Sequence, residues 1–233
     1  MNYNDFEMLQ MHTDALYVHE NRQRLLSINE PDPEHPAPRF FLGRSLAGNI
    51  WRLRYDLPDD LNAELVRLAE SEPVVDDLRE PPYHQLAYME LLAAHAPISE
   101  TYSGPAYYLP KIEMPTRAVV ITQANKEVLQ PNFPWLFSNL EALSPAAAVV
   151  EAGVAVTACS SVRLTPLAAE AGLFTEEKFR GRGYGVDATY SWAEAVRASG
   201  RLPLYGTWWA NLASQAVAAK LGAVLYGTDF NIT

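Results

Sequence analysis

Cysteine is nearly absent: Cys159 is the only one in 233 residues. A lone thiol forms no internal disulfide and supplies no cysteine-based zinc site. Histidine is scarce and one-sided. The five, His12, His19, His35, His84 and His95, all precede residue 96. A centre built wholly from the second half therefore has no imidazole for a catalytic triad or metal cluster, and no metal is expected. Long apolar runs are missing as well. The longest, 145–159, is broken by Glu151 and is too short to cross a bilayer, so no membrane partner is expected. The opening Met-Asn-Tyr-Asn-Asp-Phe-Glu is acidic and polar, unlike a secretory signal, so the cytoplasm is the expected compartment. Basic excess is lacking too: 18 Lys and Arg stand against 28 Asp and Glu, a net charge of −10. That balance counts against nucleic acid as a partner.

What is present is a globular composition, 48% hydrophobic and 20% charged, with enough chain for one large domain or two small ones. The acidic excess is local. Residues 1–115 hold 19 acidic and 9 basic side chains, whereas 116–233 hold 9 of each. The acidic half either steers cationic substrates or only aids solubility.

Along the first half, 15–19, 24–28, 39–43 and 50–55 read as a strand meander, separated by turn residues. A helix is expected after Asp56 or Pro58, with Leu61, Leu65 and Leu68 on one face, and another over 83–95. The proline-rich stretch 97–116 suggests a boundary near residue 115, although 105–109 also reads as a strand. The chain is thus expected to comprise an N-terminal α+β region, 1–115, and a second domain, 116–233.

The second half reads as a strand at 118–122 and helical segments at 125–129 and 134–140. Two apolar runs, 147–151 and 154–159, are joined by Ala152-Gly153 in the manner of a hairpin. A strand follows at 168–175, then a helix from Gly183 to Ser199, a strand at 204–209, a helix from Asn211 to Leu221 and a strand at 224–232. The class is mixed α/β.

Chemistry concentrates in Phe179-Arg180-Gly181-Arg182-Gly183-Tyr184-Gly185, between a strand and a helix. Glycines there let main-chain amides turn toward a ligand, and the helix points its positive end at the same place. Arg180 and Arg182 add fixed charge. The combination is an anion site, most naturally for phosphate. The spacing misses the Gly-x-Gly-x-x-Gly dinucleotide fingerprint and lacks the Gly-Lys-Ser/Thr ending of a triphosphate loop. It matches Arg-x-x-Gly-x-Gly, at 180, 183 and 185.

On this motif, and on the helix that opens with Asn211 and closes with Lys220-Leu221-Gly222, the sequence resembles the GNAT superfamily of acyl-CoA-dependent N-acetyltransferases. The resemblance covers about residues 116–233. It implies a mixed sheet flanked by helices and an acyl transfer from acyl-CoA, such as acetyl-CoA, to a primary amine by direct attack in a ternary complex. Leu173, Phe174 and Thr175 would offer backbone groups to the pantetheine arm. Arg180, Gly181, Arg182, Gly183, Tyr184 and Gly185 would hold the pyrophosphate. Asn211 and Ser214 would meet the pantetheine region. A homodimer is compatible with this picture, and residues 1–115 would shape the acceptor site.

The sequence departs from the family pattern at the chemistry. Many members carry a glutamate base eleven residues before the arginine, a position held here by Ala169. Glu170, the carboxylate available on that strand as the base, is one residue off; since alternate strand residues face opposite sides, it is either that catalytic base or a salt-bridge partner facing away from the substrate. A tyrosine acid is common seven residues after the asparagine, where this chain has Ala218. Ser214, a water or an unaided thiolate remains. The alternative to an enzyme is a degenerate domain that binds acyl-CoA as a sensor or scaffold.

Overall fold

The computed structural model describes residues 3–20, 23–31 and 36–233. Residues 1–2, 21–22 and 32–35, His35 and two stretches expected as turns among them, lie outside the described residues. The chain divides into two compact units. The first comprises Met1–Ala106, Gly206–Asn211 and Leu225–Thr233; the second comprises Tyr107–Tyr205 and Leu212–Val224. Where the sequence suggested one boundary near residue 115, the chain leaves the first unit after Ala106 and re-enters it twice.

The first unit begins with a helix that the sequence reading did not anticipate, α1 (Asp5–Leu16). Its start is nevertheless written locally. The Asn4 side chain accepts from the Glu7 amide, and the Glu7 carboxylate accepts from the Asn4 amide, each at 2.9 Å. Two buried polar residues, His12 and Thr13, interrupt its apolar face and conceal the periodicity.

The meander follows as β1 (Tyr17–His19), β2 (Leu25–Ile28), β3 (Phe40–Ser45) and β4 (Gly48–Leu53), then the helices α2 (Asp59–Glu70) and α3 (Gln85–His95). Strand β1 pairs with β2 in a two-stranded sheet. The main sheet of this unit runs β4, β3, β11 (Val224–Ile232), β5 (Thr101–Tyr108). Phe40, Leu42 and Phe230 pack under Leu65, Tyr88 and Leu92. Arg39 closes the end of α3, donating to the carbonyls of Leu92 at 2.9 Å and Ala96 at 3.1 Å.

Strand β5 occupies a stretch expected mainly as a boundary. Gly104 and Pro105 lie inside it, residues that weaken a strand prediction. The glycine is required: a Cβ on Gly104 would fall 1.8 Å from the carbonyl oxygen of Thr207. A close backbone approach of that kind is invisible in the sequence.

The second unit holds β6 (Val119–Ile121), a 3-10 turn at Lys126–Leu129, α4 (Pro134–Ser138), β7 (Ala146–Glu151), β8 (Val154–Leu164), β9 (Ala168–Thr175), a 3-10 turn at Glu177–Phe179, α5 (Tyr184–Ala198), β10 (Leu202–Gly206) and α6 (Leu212–Lys220). The strand order is β10, β9, β8, β7, β6. Strands β6 to β9 are antiparallel neighbours, whereas β9 and β10 are parallel, so the sheet is mixed. The β7–β8 hairpin turns at Ala152 (φ 49°) and Gly153 (φ 81°), as its two-residue spacing predicts.

Helices cover both faces of this sheet. On one, Val186, Trp192 and Val196 of α5 bury themselves against Cys159, Ala169 and Tyr205. On the other, Leu129, Phe133 and Leu136 pack on Ala146, Ala148, Ala155 and Ala158, whose small side chains let helix and sheet approach. Helices α5 and α6 fall within two residues of their expected bounds. Strand β10 begins two residues earlier than expected and ends at Gly206.

Candidate functional site

The candidate site of the second unit lies where β9 and β10 stop pairing. Their parallel ladder runs Leu202↔Ala168, Pro203↔Ala169, Leu204↔Glu170 and ends there. Beyond Glu170, β9 continues to Thr175 paired, among the described residues, with β8 alone. One edge of Ala171–Thr175 is therefore left with main-chain groups available to an extended ligand. Leu173, Phe174 and Thr175 lie on this edge. Leu173 turns toward the α5 core, whereas Phe174 meets the edge of Trp135 at 5.0 Å between ring centres.

From Thr175 the chain passes through the 3-10 turn to Arg180 and enters α5. Gly181 and Gly183 have φ of 74° and 83°, backbone that side chains with a Cβ avoid. Gly183 starts α5, and the first main-chain bonds onto it come from Val186 at 3.0 Å and Asp187 at 3.2 Å. The amides of the turn before Val186 have no intrahelical acceptor and carry the positive end of the helix dipole. Gly185 serves packing: a Cβ there would come within 3.3 Å of Leu173 and 3.5 Å of Val217. It allows β9, α5 and α6 to close around one another.

The charges of the loop are tethered. Arg180 Nε donates to the Thr175 carbonyl at 3.2 Å, and Arg182 Nη2 donates to the Lys178 carbonyl at 3.0 Å. The guanidinium of Arg182 and the ammonium of Lys178 lie 5.1 and 5.2 Å from the Phe179 ring centre. Tyr184 is buried beneath the loop and donates to Glu151 Oε1 at 2.5 Å, which holds its hydroxyl above the ordinary tyrosine range. Its ring also carries the guanidinium of Arg117 at 4.6 Å. Sequence reasoning missed Arg117 and Glu151, because no spacing rule connects them to residues 180–185.

Next to the end of the β9–β10 ladder stand Glu170, Tyr205 and, bonded to Tyr205, Ser214. Glu170 is 4% exposed, and its charge helps raise both the Cys159 thiol and the Tyr205 phenol. It therefore lies in the same interior as those two groups. Ala169, the position that the family spacing favours, is fully buried against α5. Tyr205 is 2% exposed, and burial pushes its phenol upward. Its hydroxyl lies 2.7 Å from Ser214 Oγ. Tyr205 was also missed, since from the sequence it is one more apolar residue in a strand. Ala218 is buried in the core one turn beyond Ser214. Cys159 is fully buried, and desolvation keeps its thiol protonated.

Not every expected residue falls in this unit. Asn211 immediately precedes α6 but belongs to the first unit, as do Trp208 and Trp209. Trp208 is 40% exposed and meets Tyr102 edge-on, while Trp209 lies under Arg79. Among the described residues no three His, Cys, Asp or Glu gather as a metal would require, and no helix is long and apolar enough to cross a membrane.

No family model matches the sequence, and no curated protein matches it. Solved structures do. A GCN5-related N-acetyltransferase-like protein from Streptococcus suis superposes over 88% of this chain and 87% of its own, at 15% identity and a TM-score of 0.51. The chain has the GNAT fold. A GNAT-family acetyltransferase from Colwellia psychrerythraea matches 79% of this chain and 76% of its own, with 14% identity and a TM-score of 0.46. A GNAT-family protein from Novosphingobium aromaticivorans matches 58% of this chain and 66% of its own, with 15% identity and a TM-score of 0.44. Within this GNAT fold, β9 leads through the 3-10 turn and the glycine loop directly into the start of α5.

Proposed function

We propose that the chain transfers an acetyl or other acyl group from acyl-CoA to a primary amine, by direct attack in a ternary complex. The observation that carries this reading is the Arg180–Gly185 loop: two left-handed glycines and tethered arginines open a helix beside an unpaired strand edge. A diphosphate needs several N–H donors, and this turn supplies them. A pantetheine arm needs alternating donors and acceptors, and the edge of Ala171–Thr175 supplies those. Asn211 and Ser214 are assigned to the same arm.

Acyl-CoA brings the thioester; the chain's residues handle protons and charge. The amine, with an ordinary pKa of about 10.4, must lose its proton before it attacks. Glu170, at the end of the β9–β10 ladder, is the carboxylate we assign to this, directly or through a water. A main-chain N–H on 173–175 would stabilise the oxyanion. The leaving thiolate, of ordinary pKa about 8.5, needs only modest help. Ser214 is assigned to donate to it, and Tyr205, kept protonated by burial, lies 2.7 Å from the Ser214 hydroxyl in support. Residues 1–115 are assigned to acceptor selection, and their acidic excess favours a cationic amine.

A second reading has its own support. Ala218 occupies the place where the resemblance leads one to look for a tyrosine acid, which favours a domain that binds acyl-CoA without turning it over. Titrating acetyl-CoA by calorimetry into the protein and its Arg182→Glu variant tests the shared premise. Saturable binding that weakens in the variant supports both readings. Ligand at about 100 times its dissociation constant should then stabilise the fold by roughly 2.7 kcal/mol. Acyl transfer to a panel of amines separates enzyme from sensor. Absence of binding by folded protein removes both readings.

A further inference from the structure

Asp187 is an awkward neighbour for an anion. It lies in the first turn of α5, 5% exposed, directly behind the loop whose amides and arginines favour negative charge. An ionised carboxylate there occupies the field of the helix end and repels any phosphate brought to it.

Arg117 answers this charge from a distant part of the sequence. Its Nε donates to Asp187 Oδ2 at 2.5 Å, and its Nη2 donates to the Arg182 carbonyl at 3.2 Å. Its plane rests on Tyr184, which is itself tied to Glu151. The preceding residue joins in: Thr116 Oγ1 donates to the Asp187 carbonyl at 3.2 Å and can then accept from Ser191 Oγ, 3.1 Å away. The Arg117 side chain is 55% exposed while that of Asp187 is 8% exposed. The guanidinium thus lies between the buried carboxylate and solvent, beside the loop. The approach is close, because a Cβ on Gly183 would stand 3.3 Å from Arg117 Nη2.

We infer that Arg117 is a positioning residue for a diphosphate at the Arg180–Gly185 loop: it neutralises Asp187 and anchors the Arg182 carbonyl, leaving the loop amides to the ligand. The inference rests on the proposed acyl-CoA reading for its ligand, but it concerns the diphosphate alone.

The experiment titrates both acetyl-CoA and inorganic pyrophosphate into the wild-type chain, Arg117→Ala, Asp187→Asn and the double variant, with melting curves as the control for folding. Arg117→Ala should weaken binding on the order of tenfold or more, since it leaves a carboxylate uncompensated. Asp187→Asn should bind at least as well as wild type. The double variant should recover most of the affinity lost by Arg117→Ala. That recovery is the readout a merely structural role would not give. Unchanged affinity in Arg117→Ala, or a double variant as weak as Arg117→Ala, overturns the inference. Should Arg117→Ala fail to fold, Asp187→Asn decides: a tenfold fall in its affinity overturns the inference, and retention supports it. Pyrophosphate binding with this pattern but without acetyl-CoA binding removes the acyl-CoA reading and leaves the inference standing. Binding of neither probe removes both.

Discussion

The Tyr205 hydroxyl lies 2.7 Å from Ser214 Oγ, joining the first strand position beyond the β9–β10 ladder to the first turn of α6. A buried phenol thereby orients a half-buried serine that still reaches the surface. Tyr205 follows the end of the β9–β10 ladder, and Ala218, one turn beyond Ser214, offers no hydroxyl.

Ser214→Ala should lower kcat for acyl transfer about tenfold and change the KM for acetyl-CoA little. Tyr205→Phe should lower kcat less, because serine keeps its hydroxyl and loses only its orientation. Steady-state kinetics on an accepted amine measures both. A larger effect from Tyr205→Phe than from Ser214→Ala would reverse the assigned roles.

Gly183→Ala should destabilise the fold by about 1 kcal/mol, through the positive φ of 83° and the contact with Arg117. It should also weaken acetyl-CoA binding. Gly181→Ala, where a Cβ meets nothing within 4 Å, should show only the conformational cost. Denaturant melts and calorimetry on the two variants separate backbone strain from crowding.

His12 Nε2 pairs with Asp229 Oδ2 at 2.7 Å, and Tyr226 Oη lies 2.7 Å from His12 Nδ1, all within the interior of the first unit. Asp229→Ala leaves that imidazole without its carboxylate. The expected cost is about 3 kcal/mol, read as a fall in the denaturation midpoint. A change below about 1 kcal/mol would show that water replaces the carboxylate.

Stability should fall as pH drops below about 6.5. Burial, and then the charge of Arg52, hold the His19 pKa below its ordinary value. The unfolded chain therefore binds the proton first, and protonation in that window favours unfolding. Relative to wild type, His19→Gln should flatten the pH dependence of stability between that ordinary value and the lower folded one. An identical slope in both proteins would assign the loss to other groups.

The resemblance to an acyl-CoA loop was legible because all its parts are local. Arg180, Gly183 and Gly185 lie within six consecutive residues, and helix α5 follows at once. Left-handed backbone favours glycine, so Gly181, Gly183 and the turn residue Gly153 announce themselves without a fold. Gly222, with φ of 64°, ends α6 in the same way.

What escaped the reading depends on partners distant in sequence. Gly104 is a glycine because the carbonyl of Thr207 occupies the space of its side chain, so a residue that argues against a strand sits inside β5. Helix α1 hid because His12 is polar yet buried, its cost met by Asp229 and Tyr226 from the far end of the chain.

Most helices and strands, the β7–β8 turn and the glycine loop were thus determined by the sequence itself, since short-range sterics and hydrogen bonding decide them, whereas α1 and β5 were not. Tertiary structure alone decided that Arg117 stands against Asp187, that Tyr205 holds Ser214, and that Gly206–Asn211 and Leu225–Thr233 return to the first unit. The physical reason is that a charge pair, a buried hydroxyl or a strand edge takes its meaning from what lies within a few ångströms, and folding chooses those neighbours from any part of the chain.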